Sequence, residues 1–204
     1  FQIKGFFLKY FYFFAEYKLK KYFVDKKYFL VILQVSSDSQ LTIGSHFKDN
    51  EKFIYKVIKD FAVANLEDIN LVFKHHPRDR GYINYQKQIK KISKKFGVFN
   101  KVLYFHDYYL SKLFQNSNCK GTILINSTVG YQSLYHSVPV KPLGITPYNI
   151  EGLSDQKDLT SFFKNPSTVD RLLFNKFYKY VLENSQINGN FDGYFPYDKV
   201  FVFK

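Results

Sequence analysis

Three short polar clusters in this 204-residue chain carry the residue types that hold an anionic ligand. The first is Gln34-Val35-Ser36-Ser37-Asp38-Ser39-Gln40, the second Lys74-His75-His76-Pro77-Arg78-Asp79-Arg80-Gly81, and the third Asn126-Ser127-Thr128. Each follows a short apolar run rich in β-branched residues. In the second cluster Pro77 fixes its own φ and holds His76 extended, which aims the imidazole out of the strand top. Such a ring can donate to a phosphate, and Lys74 and Arg78 add charge-assisted bonds. Because its ring titrates near neutral pH, His76 is read as a cationic clamp. In the third cluster, exposed N–H groups at the start of a helix suit a phosphate or carboxylate. Plainer readings stand beside these. Ser127 or Thr128 can simply cap the helix, and either histidine can be a satisfied loop residue. A two-histidine zinc site is disfavoured, since adjacent histidines point apart on a strand and no third ligand has a metal-site spacing.

These clusters need elements to position them. Tyr28–Val35 (YFLVILQV) reads as a buried strand, and Asn50–Ala64 as a helix with Phe53, Ile54, Val57, Ile58 and Phe61 on one face. Ile69–Lys74 is a second strand. Tyr85, Ile89, Ile92 and Phe96 line the next helix, whose other face of Lys87, Lys90, Lys91, Lys94 and Lys95 is read as solvated. Val102–Phe105 and Thr122–Ile125 are further short strands. Tyr108–Phe114 and Val129–His136 are short helices, and Val138–Leu143 is a last strand. Leu159–Lys164 and Thr168–Glu183 read as terminal helices. Strands separated by helical patterns predict parallel β-α-β units, hence an α/β fold with a doubly wound parallel sheet. Strand exits in such a sheet share one edge, so the three clusters can converge on one ligand.

Composition bounds the possibilities. The length fits one domain, with or without appendages. The chain begins at Phe1 and has no Met, which reads as a fragment of something longer. The aromatic share of 21% is high, and Lys, Phe, Tyr and Ile usage throughout is consistent with codon bias. A net charge of +13 draws anions, whether nucleotide, anionic lipid or nucleic acid. Nucleic acid is disfavoured, because the charge is not gathered with aromatics on a recognisable binding motif. One cysteine, Cys119, excludes an internal disulfide and a cysteine-based metal cluster. Residues 1–27 are read as a basic-aromatic linker helix, 28–185 as the domain, and 186–204 as a C-terminal tail. The first 30 residues hold seven lysines and 13 aromatics. Lysines interrupt every apolar run well short of the ~20 residues a membrane span needs, and no cleavage site marks a signal peptide. The segment is expected to pack on a neighbouring domain or to touch the cytoplasmic membrane face.

Taken in order, Gln34…Asp38-Ser39-Gln40, Lys74-His75-His76-Pro77-Arg78…Gly81, Ile125-Asn126-Ser127-Thr128-Val129-Gly130, Pro139-Val140…Leu143-Gly144 and Gly152-Leu153 resemble the capsule polysaccharide biosynthesis family. That family contains the bacterial β-Kdo transferases that build the lipid-linked Kdo linker of capsules. The resemblance runs from about residue 28 to about 195 and implies the Rossmann-like, nucleotide-sugar-binding half of a GT-B glycosyltransferase. It places the CMP part of CMP-Kdo on His76 and Pro77 and on Asn126, Ser127 and Thr128. Gln34 matches the family's glutamine after the first strand of this half, with Asp38 close by. The helix Tyr131-Gln132-Ser133-Leu134-Tyr135 is bulkier than the family pattern. The implied partners are a CMP-activated sugar, a lipid-linked saccharide acceptor, and a missing N-terminal half or partner chain. Without that half, the chain is expected to bind donor and not transfer it. A single phosphate needs no metal or other cofactor, and no Asp-X-Asp pair occurs. Other readings are a GT-B half using a UDP-sugar or CDP-glycerol, and a noncatalytic anion-binding module. The implied location is cytoplasmic, including the inner-membrane surface.

Overall fold

A computed structural model describes residues 2–16, 25–106 and 108–185. The expected tail, 186–204, and residues 17–24 of the N-terminal segment lie outside the described residues. Strands β1 (Lys27–Ile32), β2 (Ile69–Lys74), β3 (Val102–Phe105), β4 (Cys119–Leu124) and β5 (Val140–Pro142) form one sheet, in the order β3-β2-β1-β4-β5. Every neighbouring pair is parallel. The helices are α1 (Gln2–Ala15), α2 (Gln40–Ile43), α3 (Asn50–Ala64), α4 (Gln86–Lys95), α5 (Leu110–Gln115), α6 (Val129–Tyr135), α7 (Leu159–Lys164) and α8 (Arg171–Ser185). The chain divides into two compact units: residues 1–169 hold the sheet, and residues 170–204 hold α8. The doubly wound parallel sheet is thus the one the alternating pattern predicts.

Alternation along β1 explains the two covered faces. Phe29, Val31 and Leu33 join a core with Phe53, Val57 and Phe61 of α3, Ile89 and Ile92 of α4, and Phe162 and Phe163 of α7. Tyr28, on the opposite face, is fully buried and donates its hydroxyl to the Leu113 carbonyl of α5 at 2.6 Å. Each such aromatic or aliphatic burial stabilises the fold by about 1.5–3 kcal/mol. The α3 helix starts where the Asp49 carboxylate accepts from the Lys52 N–H at 2.8 Å. It stops at Asn65, whose left-handed backbone (φ 48°) returns its N–H to the Ala62 carbonyl.

Two details depart from the pattern in the sequence. β4 begins at Cys119, three residues before the apolar run, because Gly121 hides the strand signal. A Cβ there would stand 2.6 Å from Cζ of Phe162, so only glycine lets α7 lie this close to the sheet. Cys119 itself is buried, and burial pushes its thiol up to about 12. The second detail is α2, one turn after β1 whose four residues are too few to show a helical period.

Candidate functional site

The strand order reverses between β1 and β4, because the chain winds outward through β2 and β3 and then returns to the other side of β1. Ligands of open α/β sheets bind at such a switch point, outside the carboxyl ends of the strands. The three polar clusters stand there, at the exits of β1, β2 and β4.

Hydrogen bonds join the exits in a row. Gln34, 6% exposed at the β1 exit, donates through Nε2 to Oδ1 of Asn126 at the β4 exit. The Asn50 side chain holds the Gln34 backbone from both sides, donating to its carbonyl at 2.8 Å and accepting its N–H at 3.3 Å. Asn50 also donates to the Tyr85 hydroxyl at 3.1 Å. Towards β2, the Asp79 carboxylate accepts the Ser36 N–H at 2.7 Å and the Ser36 hydroxyl at 3.1 Å. Hydrogen bonds therefore tie the β1 exit to the β4 exit through Gln34 and to the β2 exit through Ser36.

His76 stands half-buried at the β2 exit. Pro77 opens a 3-10 turn, Pro77–Asp79, and His76 caps it: Nδ1 accepts the Arg78 N–H at 3.1 Å. The ring proton therefore sits on Nε2, and a second proton would have to displace that backbone bond. Burial holds the His76 pKa below the usual histidine range. The nearby Asp79 and Asp38 carboxylates pull it up, while Lys74 and Arg78 push it down. Without a ligand His76 therefore presents an Nε2–H donor, and the cationic clamp expected in a phosphate complex would have to give up the capping bond. The same interaction places Asp38 within electrostatic reach of the ring.

Lys74 is also placed differently. It is 5% exposed, and its ammonium donates to the carbonyls of His75 at 2.9 Å and His106 at 2.7 Å. Those bonds tie the β2 exit to the β3 exit, so this lysine holds backbone in place. Arg78 and Pro77 are exposed on the turn. At the β4 exit, Thr128 is the N-cap residue preceding α6 and makes no side-chain capping bond. Ser127 Oγ accepts the Val129 N–H at 3.3 Å, a long bond that leaves the hydroxyl proton available. The Ser127 carbonyl accepts the Tyr148 hydroxyl. Tyr148 is buried against Gly130, where a Cβ would stand 2.3 Å from the tyrosine Cζ. Gly130 is thus required by that ring.

Asp79, Ser36, Asn50 and Tyr148 were not assigned from sequence. Asp79 and Ser36 lie inside the quoted clusters, so proximity was the available signal. Asn50 and Tyr148 had none. A further buried group stands beside the site at the β3 exit. The Glu16 carboxylate accepts from the His106 N–H at 2.7 Å and lies 3.0 Å from its Nδ1. Tyr12 stacks on the same ring, with centroids 3.6 Å apart. His75 meets the Tyr104 hydroxyl at 2.7 Å, and burial, with help from His106, holds its pKa down to about 3. A separate groove of about 460 Å³ is lined by Glu51, Tyr85, Lys87 and Lys91 among others. It shares no residue with the three exits.

The family model described as capsule polysaccharide biosynthesis protein matches residues 15–192. The chain belongs to this family. It is 40% identical over 166 residues to the capsule polysaccharide modification protein LipB of Neisseria meningitidis serogroup A, covering 81% of this chain and 39% of the relative. It is 37% identical over 165 residues to the capsule polysaccharide export protein KpsS of Escherichia coli, covering 81% of this chain and 42% of that one. The chain thus spans about two-fifths of the length of these curated relatives. Among solved structures it is similar to Thermosulfurimonas dismutans KpsC, a β-Kdo 2,7 transferase. There the TM-score is 0.47 at 19% identity, covering 69% of this chain and 44% of that one. All five motifs of the sequence resemblance lie inside the span of the family match.

Proposed function

We propose that this chain is the donor-binding half of a GT-B glycosyltransferase of capsular polysaccharide biosynthesis, taking Kdo from CMP-Kdo to a lipid-linked saccharide acceptor. The observation that carries the reading is the Gln34–Asn126 hydrogen bond across the switch point. It joins two of the three polar exits where the fold binds ligands, in a chain of a capsule biosynthesis family. In this reading the single phosphate of CMP lies between His76 Nε2–H and the Ser127 hydroxyl, near Asn126. β2 and β4 flank β1, so their exits stand about 10 Å apart. A phosphate and two side chains fill that span. Basic charge enters through Arg78 and the overall excess of lysine, so the chain's own groups supply the neutralisation a CMP leaving group needs. The acceptor and the groups that complete catalysis belong to a second half or partner chain. Among the described residues no helix is long and apolar enough to cross a membrane. The proposed place of work is the cytoplasm, at the inner-membrane surface where a lipid-linked acceptor is presented.

Calorimetry tests the donor. CMP should bind well above UMP or AMP, and equal affinity for all three removes the cytidine assignment. UMP binding best would favour a UDP-sugar donor instead.

A further inference from the structure

An amide and a hydroxyl presented together at the exit of the first strand of an open α/β sheet form a place where a phosphate settles. In this chain the Ser36 N–H and Oγ–H provide that pair, and both already hold an anion, the Asp79 carboxylate. Asp79 is 4% exposed, so it is a built part of the site rather than a surface side chain resting there. Its own N–H donates to the His76 carbonyl at 3.1 Å, and its carbonyl receives the N–H groups of Tyr82 and Ile83. Backbone bonds thus fix the Asp79 main chain, and the two bonds from Ser36 hold its carboxylate at the β1 exit.

We infer that Asp79 sets donor specificity: it fills the anion position at the β1 exit, so that the site takes a nucleoside monophosphate and rejects a nucleoside diphosphate. The inference rests on the nucleotide-donor reading above. One phosphate between Ser127 and His76 does not compete for the Ser36 donors, although the Asp79 carboxylate is within electrostatic reach of the His76 ring. A second phosphate, extending across the switch point towards β1, meets Asp79 where Ser36 would otherwise receive it. Like charges brought together in a half-buried place discriminate by orders of magnitude, which is how a site excludes the wrong partner.

Calorimetry with CMP and CDP, on the wild-type chain and on Asp79→Asn, tests this. The amide keeps the shape of the side chain and one acceptor for Ser36 while removing the charge. Wild type should bind CMP tighter than CDP by about tenfold or more, and Asp79→Asn should bring the two within about threefold, chiefly by improving CDP. CDP binding as tightly as CMP to wild type overturns the inference. So does an unchanged ratio in an Asp79→Asn chain that melts as wild type does. Should that variant not fold, competition on wild type decides: pyrophosphate displacing CMP better than inorganic phosphate overturns it, and the reverse order supports it. No CMP binding to wild type at all is a different result, since it removes the nucleotide reading and this inference with it.

Discussion

Two neighbouring histidines of this chain sit in opposite circumstances, and each yields a measurement. His75 is buried, with its pKa lowered from the usual 6.5 to about 3. A depressed folded pKa means that the unfolded chain binds the proton more readily. Stability is therefore fully present above about pH 6.5 and is lost as pH falls towards the folded value. Urea unfolding should show about 2 kcal/mol less stability at pH 5 than at pH 6.5 from this residue, and His75→Gln should flatten that difference. An equally steep acid loss in the variant would assign it to other groups. His76 presents a neutral Nε2–H, because Nδ1 is engaged with the Arg78 N–H. His76→Ala should then weaken CMP binding by about 1–3 kcal/mol at both pH 6 and pH 8.5. A loss that shrinks at pH 8.5 would restore the cationic clamp read from the sequence. The residue types of this motif were legible in the sequence, with Pro77 marking the turn. The charge of His76 and the inward turn of Lys74 were not, because both depend on backbone partners that spacing does not reveal.

At the scale of elements, α6 is held where it is by a glycine and a tyrosine. Tyr148 lies against Gly130 and donates to the Ser127 carbonyl, so the ring fixes both the helix and the residue that opens it. Gly130→Ala drives a methyl group into that ring and should cost about 1–3 kcal/mol in urea unfolding. It should also weaken CMP binding, because displacing Tyr148 releases Ser127. A variant that unfolds as wild type does and binds CMP normally would show that Tyr148 has room to move. The strands and the longer helices were readable, since α3 shows Phe53, Val57 and Phe61 at helical spacing and β1 is an unbroken apolar run. The Tyr148 contact was not, as it joins residues 18 apart that share no pattern. The lysine row of α4, read as solvated, is exposed and also covers rings: Lys90 and Lys94 stand 5.7 and 5.4 Å from the Phe99 centroid.

At the scale of the whole molecule, α1 and Glu16 belong to the sheet-bearing unit and reach the β3 exit through Tyr12 and Glu16 at His106. Phe7, Phe11 and Phe14 fall on one stripe of α1, and each is more than 60% exposed. A chain starting at Glu16 removes that stripe and keeps the buried carboxylate. It should unfold cooperatively near the wild-type temperature and aggregate less in light scattering. Loss of cooperative unfolding would make α1 a required part of this fold. Parallel strands share one carboxyl edge, so the convergence of the three clusters was foreseeable, whereas the order β3-β2-β1-β4-β5 was not. The bonds that weld them, Gln34 to Asn126 and Ser36 to Asp79, were not. The central claim is that these welded exits bind one nucleotide phosphate, and a crystal structure of the CMP complex tests it most directly. A phosphate oxygen should lie within about 3.2 Å of both His76 Nε2 and Ser127 Oγ. CMP seated instead in the groove between Glu51 and Lys87, with the three exits empty, would contradict the account.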